Sequence, residues 1–165
     1  MLFRSETVAT PAAAPKFETI NGGKETILVV EDETSLLEMV RKVLERYHYR
    51  ILIASSGVEA LRVWDEHEGR IDLLLTDMIM PGGVTGSDLA ANLKKRKPGL
   101  KVIFTSGYSS ELVGKDFGHG DTLFLSKPYQ PQQVARMIRD TLDATPKNHH
   151  QSAPVQTNGT HTLTA

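Results

Sequence analysis

The segment Ile27-Leu28-Val29-Val30-Glu31-Asp32-Glu33 consists of four apolar residues followed directly by three acidic ones. A near-continuous apolar run of this length is typical of a strand in a parallel sheet that is covered on both faces. A second stretch, Leu73-Leu74-Leu75-Thr76-Asp77, repeats the pattern with one carboxylate at its end. The sequence therefore places acidic side chains at the ends of two predicted strands.

Apolar runs and helical segments alternate along the middle of the chain. The runs lie at 26–31, 51–54, 71–76, 101–105 and 122–126. Four sets of apolar residues have helical spacing: Leu36, Val40, Val43, Leu44 and Tyr47; Ala60, Leu61 and Trp64; Leu89, Ala90 and Leu93; and Val134, Met137, Ile138 and Leu142. Thr34 or Ser35 is predicted to cap the first helix, and the glycines of 110–120 predict a short or weak helix there. This alternation predicts an α/β fold with a doubly wound parallel sheet.

The composition indicates one folded domain between two disordered ends. Hydrophobic residues make up 39% of the 165 residues and charged residues 24%, which is ordinary for a globular domain. Residues 1–24 are predicted to be a disordered linker and 146–165 a disordered tail, which leaves the domain at 25–145. His149 and His150 in that tail are expected to be solvated rather than metal-bound.

Several classes of protein are disfavoured by simple counts. A formal net charge of −1 argues against binding of nucleic acid or an anionic membrane through overall charge. The absence of cysteine excludes disulfides and thiolate metal sites, and it fits a reducing cytoplasm. No apolar run approaches the roughly 20 residues of a membrane-spanning helix or the apolar core of a signal peptide, so a cytoplasmic protein without membrane contact is expected.

Polar side chains follow the predicted strands at one edge of the sheet. Glu31 and Asp32 follow the first strand, Asp77 the third, Thr105 the fourth and Lys127 the fifth. If the first strand lies beside the third, the carboxylates converge at the carboxyl edge, where ligands bind in such sheets. Crowded carboxylates repel one another unless a cation joins them, and an oxygen-preferring dication such as Mg²⁺ suits this site.

This set of groups matches what a carboxylate needs in order to attack phosphorus. A metal must neutralise the incoming oxygens, a second cation must hold another oxygen, and a donor must hold the third. The acidic pair, Lys127 and Thr105 supply these in turn. Each residue alone is more simply explained as a helix cap or a solvated loop residue, but four strand ends that all carry a suitable group favour a site.

Several segments resemble the successive motifs of two-component receiver domains. The segments are 27–33, 75–81, 102–106 and 126–129, with 55–61 matching the motif of the second helix. The resemblance covers about residues 25–144 in the family's order and spacing. It implies a flavodoxin-like (βα)5 fold with strand order 2-1-3-4-5. It also implies a response-regulator receiver that takes a phosphoryl group from a histidine kinase or a histidine phosphotransfer domain, and that is not itself an enzyme acting on other substrates.

The resemblance also implies residue roles. Asp77 matches the phospho-acceptor, Lys127 the phosphate-binding lysine, Thr105 the switch hydroxyl and Phe124 the rotating aromatic. The metal is expected at Glu31, Asp32, Asp77 and the backbone carbonyl of Ile79. In relatives the bond between Lys127 and Pro128 is cis, which X–Pro bonds allow at low cost.

Two departures from the family pattern bear on this site. The acidic pair is Glu-Asp rather than the commoner Asp-Asp, so Glu31 is expected to reach the metal through water. The loop 82–86 is longer than usual and, with 105–109, resembles receivers at the C-terminal end of hybrid histidine kinases. Ile79 and Gly107 occupy positions that govern hydrolysis in relatives, and neither side chain can orient water, so slow self-dephosphorylation is expected.

Three rival functions fit the residues less well. An aspartate-dependent magnesium phosphatase of the haloacid-dehalogenase type needs Asp-x-Asp, which Asp32-Glu33-Thr34 does not provide. A P-loop needs Gly-Lys-Ser/Thr at a helix start, whereas Gly23-Lys24-Glu25 precedes a strand. A pseudo-receiver, an interaction module that is never phosphorylated, requires loss of a site residue, and all are present. The sequence shows no output domain after 145, so the signal is expected to leave through a partner, through a neighbouring kinase domain or by onward phosphotransfer. Phosphorylation-dependent homodimerisation is left open.

Overall fold

A computed structural model describes residues 20–67, 69–107 and 123–144. Strands and helices alternate in this part of the chain: β1 Thr26–Val30, α1 Thr34–Arg46, β2 Arg50–Ala54, α2 Gly57–His67, β3 Leu73–Asp77, α3 Gly86–Arg96, β4 Lys101–Ser106, β5 Leu123–Ser126 and α4 Pro131–Asp143. The helix predicted within 110–120 lies outside the described residues, as do most of both predicted tails. The domain limits at 25 and 145 therefore stay a prediction.

The five strands form one parallel sheet in the order β2-β1-β3-β4-β5, which confirms the predicted fold class and strand order. β1 lies beside β3, with Val30 opposite Thr76. The register between β3 and β4 places Asp77 opposite Thr105. Because all strands run the same way, the residues that end β1, β3, β4 and β5 collect at one carboxyl edge.

The sheet separates two hydrophobic clusters. Ile27 and Val29 of β1 pack with α1 and α4 on one face, whereas Leu28 and Val30 pack with α2 and α3 on the other. All four side chains are almost fully buried. Alternate residues thus enter different clusters, and burial of both faces explains why the strand reads as an unbroken apolar run.

The helix ends differ in part from the sequence prediction. α1 begins at Thr34 with Glu33 as its N-cap, so the prediction of Thr34 or Ser35 as the cap was wrong. The Ser35 hydroxyl instead donates to the Glu33 carboxylate at 2.8 Å.

The C-terminal end of α4 is bound by a lysine of β4. Lys101 Nζ donates to the carbonyl oxygens of Thr141, Leu142 and Ala144 at 2.6, 2.8 and 2.7 Å. Within 20–67, 69–107 and 123–144, every helix is too short or too polar to span a bilayer.

The long loop between β3 and α3 folds back onto the strand. Gly82 and Gly83 have φ values of +101° and +83°, a left-handed region that favours glycine. A Cβ on Gly86 would overlap the carbonyl oxygen of Asp77, so only glycine allows this close approach. The Gly86 amide donates to the Met78 carbonyl oxygen at 3.1 Å. The loop is therefore held against the end of the strand that carries Asp77.

Candidate functional site

Three carboxylates meet at the carboxyl edge of the sheet. Glu31 and Asp32 directly follow β1, and Asp77 ends β3, its neighbour in the sheet. One oxygen from each carboxylate can be chosen so that all three lie within 4.8 Å of one another, and in the part of the chain that the structure describes this is the acidic group able to hold a metal ion. Glu31 is buried, whereas Asp32 is exposed to solvent. The convergence predicted from the strand ends is confirmed.

Lys127 enters this cluster from β5, two strands away from β3. Its Nζ donates to Asp77 Oδ2 at 2.6 Å and lies 2.7 Å from Glu31 Oε2 and 3.0 Å from Glu31 Oε1. The lysine backbone is fixed by a bond from its amide to the Ser106 carbonyl oxygen at 2.8 Å. The Lys127-Pro128 bond is cis, as predicted. One ammonium group therefore bridges two of the three carboxylates.

The charges in the cluster do not cancel. Burial raises the pKa of Glu31 above its usual range, although the hydrogen bond from Lys127 opposes this. For Lys127, burial acts to lower the pKa, but hydrogen bonds to Asp77 and Glu31 outweigh it, so the pKa is raised and the ammonium stays charged. Counted formally, the three carboxylates and one ammonium carry a net charge of −2. An all-oxygen cluster with that charge fits a hard dication such as Mg²⁺.

The two oxygens of Asp77 have different partners. The Ile79 amide donates to Oδ1 at 3.2 Å, and Lys127 donates to Oδ2. The Asp77 side chain is 13% exposed, which leaves the carboxylate accessible at the edge of the sheet. The Ile79 side chain beside it is 64% exposed. This carboxylate is thus oriented by fixed donors while still open to an incoming group.

Thr105 carries a buried hydroxyl next to the acidic cluster. The residue is 1% exposed, and its Oγ1 has no hydrogen-bond partner among the residues that the structure describes. A buried polar atom left unpaired costs about 1–3 kcal/mol, so such an atom needs an explanation. Because Thr105 lies directly opposite Asp77 in the register, a group attached to Asp77 could accept a hydrogen bond from it.

Phe124 lies next to this strand pair. It is the Cα partner of Phe104, and the two rings stack with centroids 5.6 Å apart and planes at 26°. Phe104 is buried and Phe124 half-buried. The predicted switch residues Thr105 and Phe124 are thus close to each other on adjacent strands, although a rotation of Phe124 stays a prediction.

One feature of the site was not predicted from the sequence. Glu31 was expected beside the metal through water, but both of its oxygens lie within hydrogen-bonding distance of Lys127 Nζ. The signal that could have indicated this is the longer glutamate side chain at the first position of the acidic pair.

Comparison with known proteins identifies relatives that contain receiver domains. The model of the response regulator receiver domain family matches residues 27–139. The sensor kinase CckA of Brucella abortus (strain 2308) is 32% identical over 143 residues, which cover 85% of this chain and 15% of that protein. The chain spans between 15% and 55% of the length of the first curated relatives that it matches.

Solved structures agree with the sequence relatives. A response regulator receiver domain protein from Clostridium thermocellum is 31% identical with a TM-score of 0.64, covering 72% of this chain and 94% of that one. The receiver domain of the hybrid histidine kinase CckA is 32% identical with a TM-score of 0.61, covering 71% of this chain and 98% of that one. With its sheet order, its strand-edge cluster and this family match, the chain belongs to the response regulator receiver domain family of two-component phosphorelay signalling.

Proposed function

We propose that Asp77 is the residue that accepts the phosphoryl group, from a phosphohistidine of a histidine kinase or histidine phosphotransfer domain, or from a small donor such as acetyl phosphate. The observation that carries this proposal is the arrangement around the Asp77 carboxylate. Lys127 Nζ donates to it at 2.6 Å, and the buried Thr105 hydroxyl without a described partner lies on the neighbouring strand.

The residues divide the work of phosphoryl transfer between them. An oxygen of Asp77 attacks phosphorus and forms an acyl phosphate, while the P–N bond of the phosphohistidine breaks and the imidazole leaves with its electron pair. The Lys127 ammonium pairs with one phosphoryl oxygen, and Thr105 donates to another. Positioning and charge stabilisation of this kind supply most of the catalysis in phosphoryl transfer. The domain would thereby catalyse only its own phosphorylation and dephosphorylation.

Asp32, Asp77 and the backbone carbonyl of Ile79 are the proposed ligands of Mg²⁺, with Glu31 reaching it only through water. The net charge of −2 in the cluster supports a dication here. When bound, the ion would neutralise negative charge on the carboxylates and on the phosphoryl oxygens.

Phosphorylation is proposed to change the conformation of the face that contains β5 and α4. The added charge of about −1.5 to −2 draws the Thr105 hydroxyl toward the phosphoryl group, and Phe124 turns into the space that Thr105 leaves. Segment 110–120, proposed as the bistable part, lies outside the described residues. Chemical shifts on adding beryllofluoride should change across 105–130, and changes confined to the immediate pocket would contradict the switch.

The setting of the domain is also a proposal. A cytoplasmic location accords with a chain that has no cysteine. We expect the signal to leave through a protein partner rather than through nucleic acid or a membrane. Association of two phosphorylated copies is one such route, which sedimentation with and without beryllofluoride would test.

Intact-mass spectrometry tests the central assignment. Wild type incubated with acetyl phosphate and Mg²⁺ should gain one phosphoryl group, and Asp77→Asn should gain none. Asp140→Asn, an exposed aspartate on α4, is the matched control and should be phosphorylated like wild type. If Asp77→Asn gains as much phosphoryl adduct as wild type, Asp77 is not the phospho-acceptor.

A further inference from the structure

We propose that phosphorylation changes how the chain enters the domain: residues 22–25, the entry segment, are fastened to α4 by the ion pair between Glu25 and Arg139 and move with that helix. The inference rests on the proposed phosphorylation of Asp77. It adds a route by which the conformational change leaves the domain, at the amino edge of the sheet and therefore opposite the acidic cluster.

The backbone of the entry segment lies against the end of α1 and the start of β2. The Gly23 amide donates to the Tyr47 carbonyl oxygen at 3.1 Å, and the Glu25 carbonyl oxygen accepts from the Arg50 amide at 3.0 Å. A Cβ on Gly22 would overlap the Tyr47 carbonyl oxygen, a backbone atom that cannot move aside cheaply. The chain is therefore in close contact with the fold before β1 begins.

The side chain of Arg139 joins this segment to α4. Its Nη2 donates to Glu25 Oε1 at 3.0 Å and to Asp143 Oδ1 at 2.7 Å, and its Nε donates to Asp143 Oδ2 at 2.9 Å. Nη1 donates to the hydroxyl of buried Tyr49 at 3.4 Å. Because the Arg139 side chain is only 16% exposed, solvent screens these contacts less than those of a surface ion pair. One guanidinium group thus holds the entry segment, the residue before β2 and α4 together.

The two carboxylates that contact Arg139 have different functions. Asp143 lies four residues further along the same helix, and its two bonds orient the guanidinium group. Glu25 belongs to another element and is 114 positions away in the sequence. Its second oxygen, Oε2, is buried without a hydrogen-bond partner among the residues that the structure describes, so this carboxylate depends on Arg139 for charge compensation. Removal of the Glu25 charge therefore detaches the entry segment and leaves the contacts within the helix intact.

α4 connects this ion pair to the phosphorylation site. Only residues 128–130 separate Lys127 from the start of the helix, and Lys127 Nζ donates to Asp77 at 2.6 Å. The helix has 13 residues, is about 20 Å long and is stiff over that length, with Arg139 about two turns from its start. At the far end, Lys101 donates to the carbonyl oxygens of its last residues. A displacement of the helix at either end thus displaces Arg139.

Both ends of α4 are attached to strands that take part in the proposed switch. Lys101 belongs to β4, which carries Thr105, and the helix itself follows β5, which carries Phe124. Coupling between two sites is reciprocal in free energy. A state of the phosphorylation site that shifts α4 must therefore also change how firmly the entry segment is held.

Hydrogen exchange of the Gly23 amide, followed by NMR on the full chain, tests whether the ion pair holds the entry segment. Without ligand, Glu25→Gln and Arg139→Met should raise the exchange rate of this amide by about tenfold or more, because its hydrogen bond opens more often. Asp143→Asn keeps the contact between Glu25 and Arg139 and should stay within about threefold of wild type. Arg62→Met, at a side chain of α2 that is 71% exposed, is the matched control and should exchange like wild type.

Beryllofluoride with Mg²⁺ then tests the coupling. In wild type and in Arg62→Met, its addition should change the Gly23 exchange rate by about fivefold or more. In Glu25→Gln the rate should change by less than about twofold, although the amide signal of Ile79 beside Asp77 still shifts. Trp64 fluorescence checks that each variant is folded. If Glu25→Gln does not fold, Gly22→Ala replaces it, because its Cβ displaces the backbone from Tyr47 without removing a charge.

The outcomes separate this inference from the proposed function. If the Ile79 signal shifts in wild type while the Gly23 exchange rate stays the same, the inference is overturned and the proposed function stands. Equal exchange rates in wild type and Glu25→Gln without ligand overturn it as well, because the ion pair then holds nothing. If beryllofluoride shifts no signal of wild type, the proposed function fails and the route that rests on it fails too.

Discussion

Replacement of Lys127 by methionine removes the positive charge from the cluster while keeping most of the side-chain volume. Three carboxylates whose oxygens lie within 4.8 Å then remain without a counter-charge. Two unit charges at that separation repel by about 3.5 kcal/mol at an effective dielectric constant of about 20. Loss of one partner of a buried ion pair costs about 3–5 kcal/mol. Because Lys127 and Asp77 are 19% and 13% exposed, we expect the free energy of unfolding without divalent metal to fall by about 3 kcal/mol, the low end of that range.

Magnesium should reverse much of this loss. The net charge of the cluster is −2 in wild type and −3 in Lys127→Met, so the dication binds the variant more strongly. A ligand that binds only the folded state stabilises it in proportion to the logarithm of its saturation. The stability gap between variant and wild type should therefore narrow as Mg²⁺ is added, although Lys127→Met still lacks the cation that pairs with the phosphoryl group.

Urea unfolding followed by fluorescence measures both effects. Trp64 is the single tryptophan of the chain and is fully buried in the cluster beneath α2 and α3, so its emission reports unfolding. Lys94→Met, at an exposed position on α3, is the matched control and should stay within about 0.5 kcal/mol of wild type. The reasoning is refuted if Lys127→Met is no less stable than this control in EDTA, or if Mg²⁺ leaves the gap unchanged.

Three further predictions follow from individual contacts. Lys101→Met removes three hydrogen bonds at the end of α4 and should lower the free energy of unfolding by about 2 kcal/mol in urea, and an unchanged midpoint would contradict a stabilising role. Burial raises the pKa of Glu31 above its usual 4.5, so the folded chain ionises this carboxyl less readily than the unfolded chain does; in EDTA, wild type should lose stability relative to Glu31→Gln as the pH rises above 4.5, and a pH-independent difference would argue against it. Ile79→Asn places a polar group beside Asp77 and should shorten the lifetime of the phosphorylated form in excess Mg²⁺; if decay is not faster, other groups control hydrolysis.

Much of the fold can be predicted from the sequence because a strand that is buried on both faces consists of a continuous run of apolar residues. Every residue of β1 is buried, and the run that predicts the strand is the run that forms it. Strand ends were predicted less accurately: Asp77 and Thr105 were expected to follow their strands but lie within them. Polar residues at the carboxyl edge still form backbone pairs with the neighbouring strand, and the hydrophobic pattern does not show where this pairing ends.

The sequence predicts which strand ends come together to form the candidate site. Convergence of Glu31, Asp32 and Asp77 follows from adjacent parallel strands, and the structure brings them together. The bond between Lys127 and Glu31 joins residues 96 positions apart and depends on the reach of two long side chains, which spacing along a chain does not encode. The N-cap of α1 was misassigned for a related reason, since Glu33, Thr34 and Ser35 are adjacent and only the backbone geometry distinguishes the cap.

The spread of the cluster along the chain has a consequence during synthesis. Asp77 and Lys127 are 50 residues apart, and Lys127 follows β5, the last strand to be made. A chain that has left the ribosome only as far as β4 carries all three acidic groups and no ammonium to balance them. Mutual repulsion then disfavours closure of that edge of the sheet until β5 pairs with β4. The contact that orients Asp77 therefore forms only after the last strand has been synthesised.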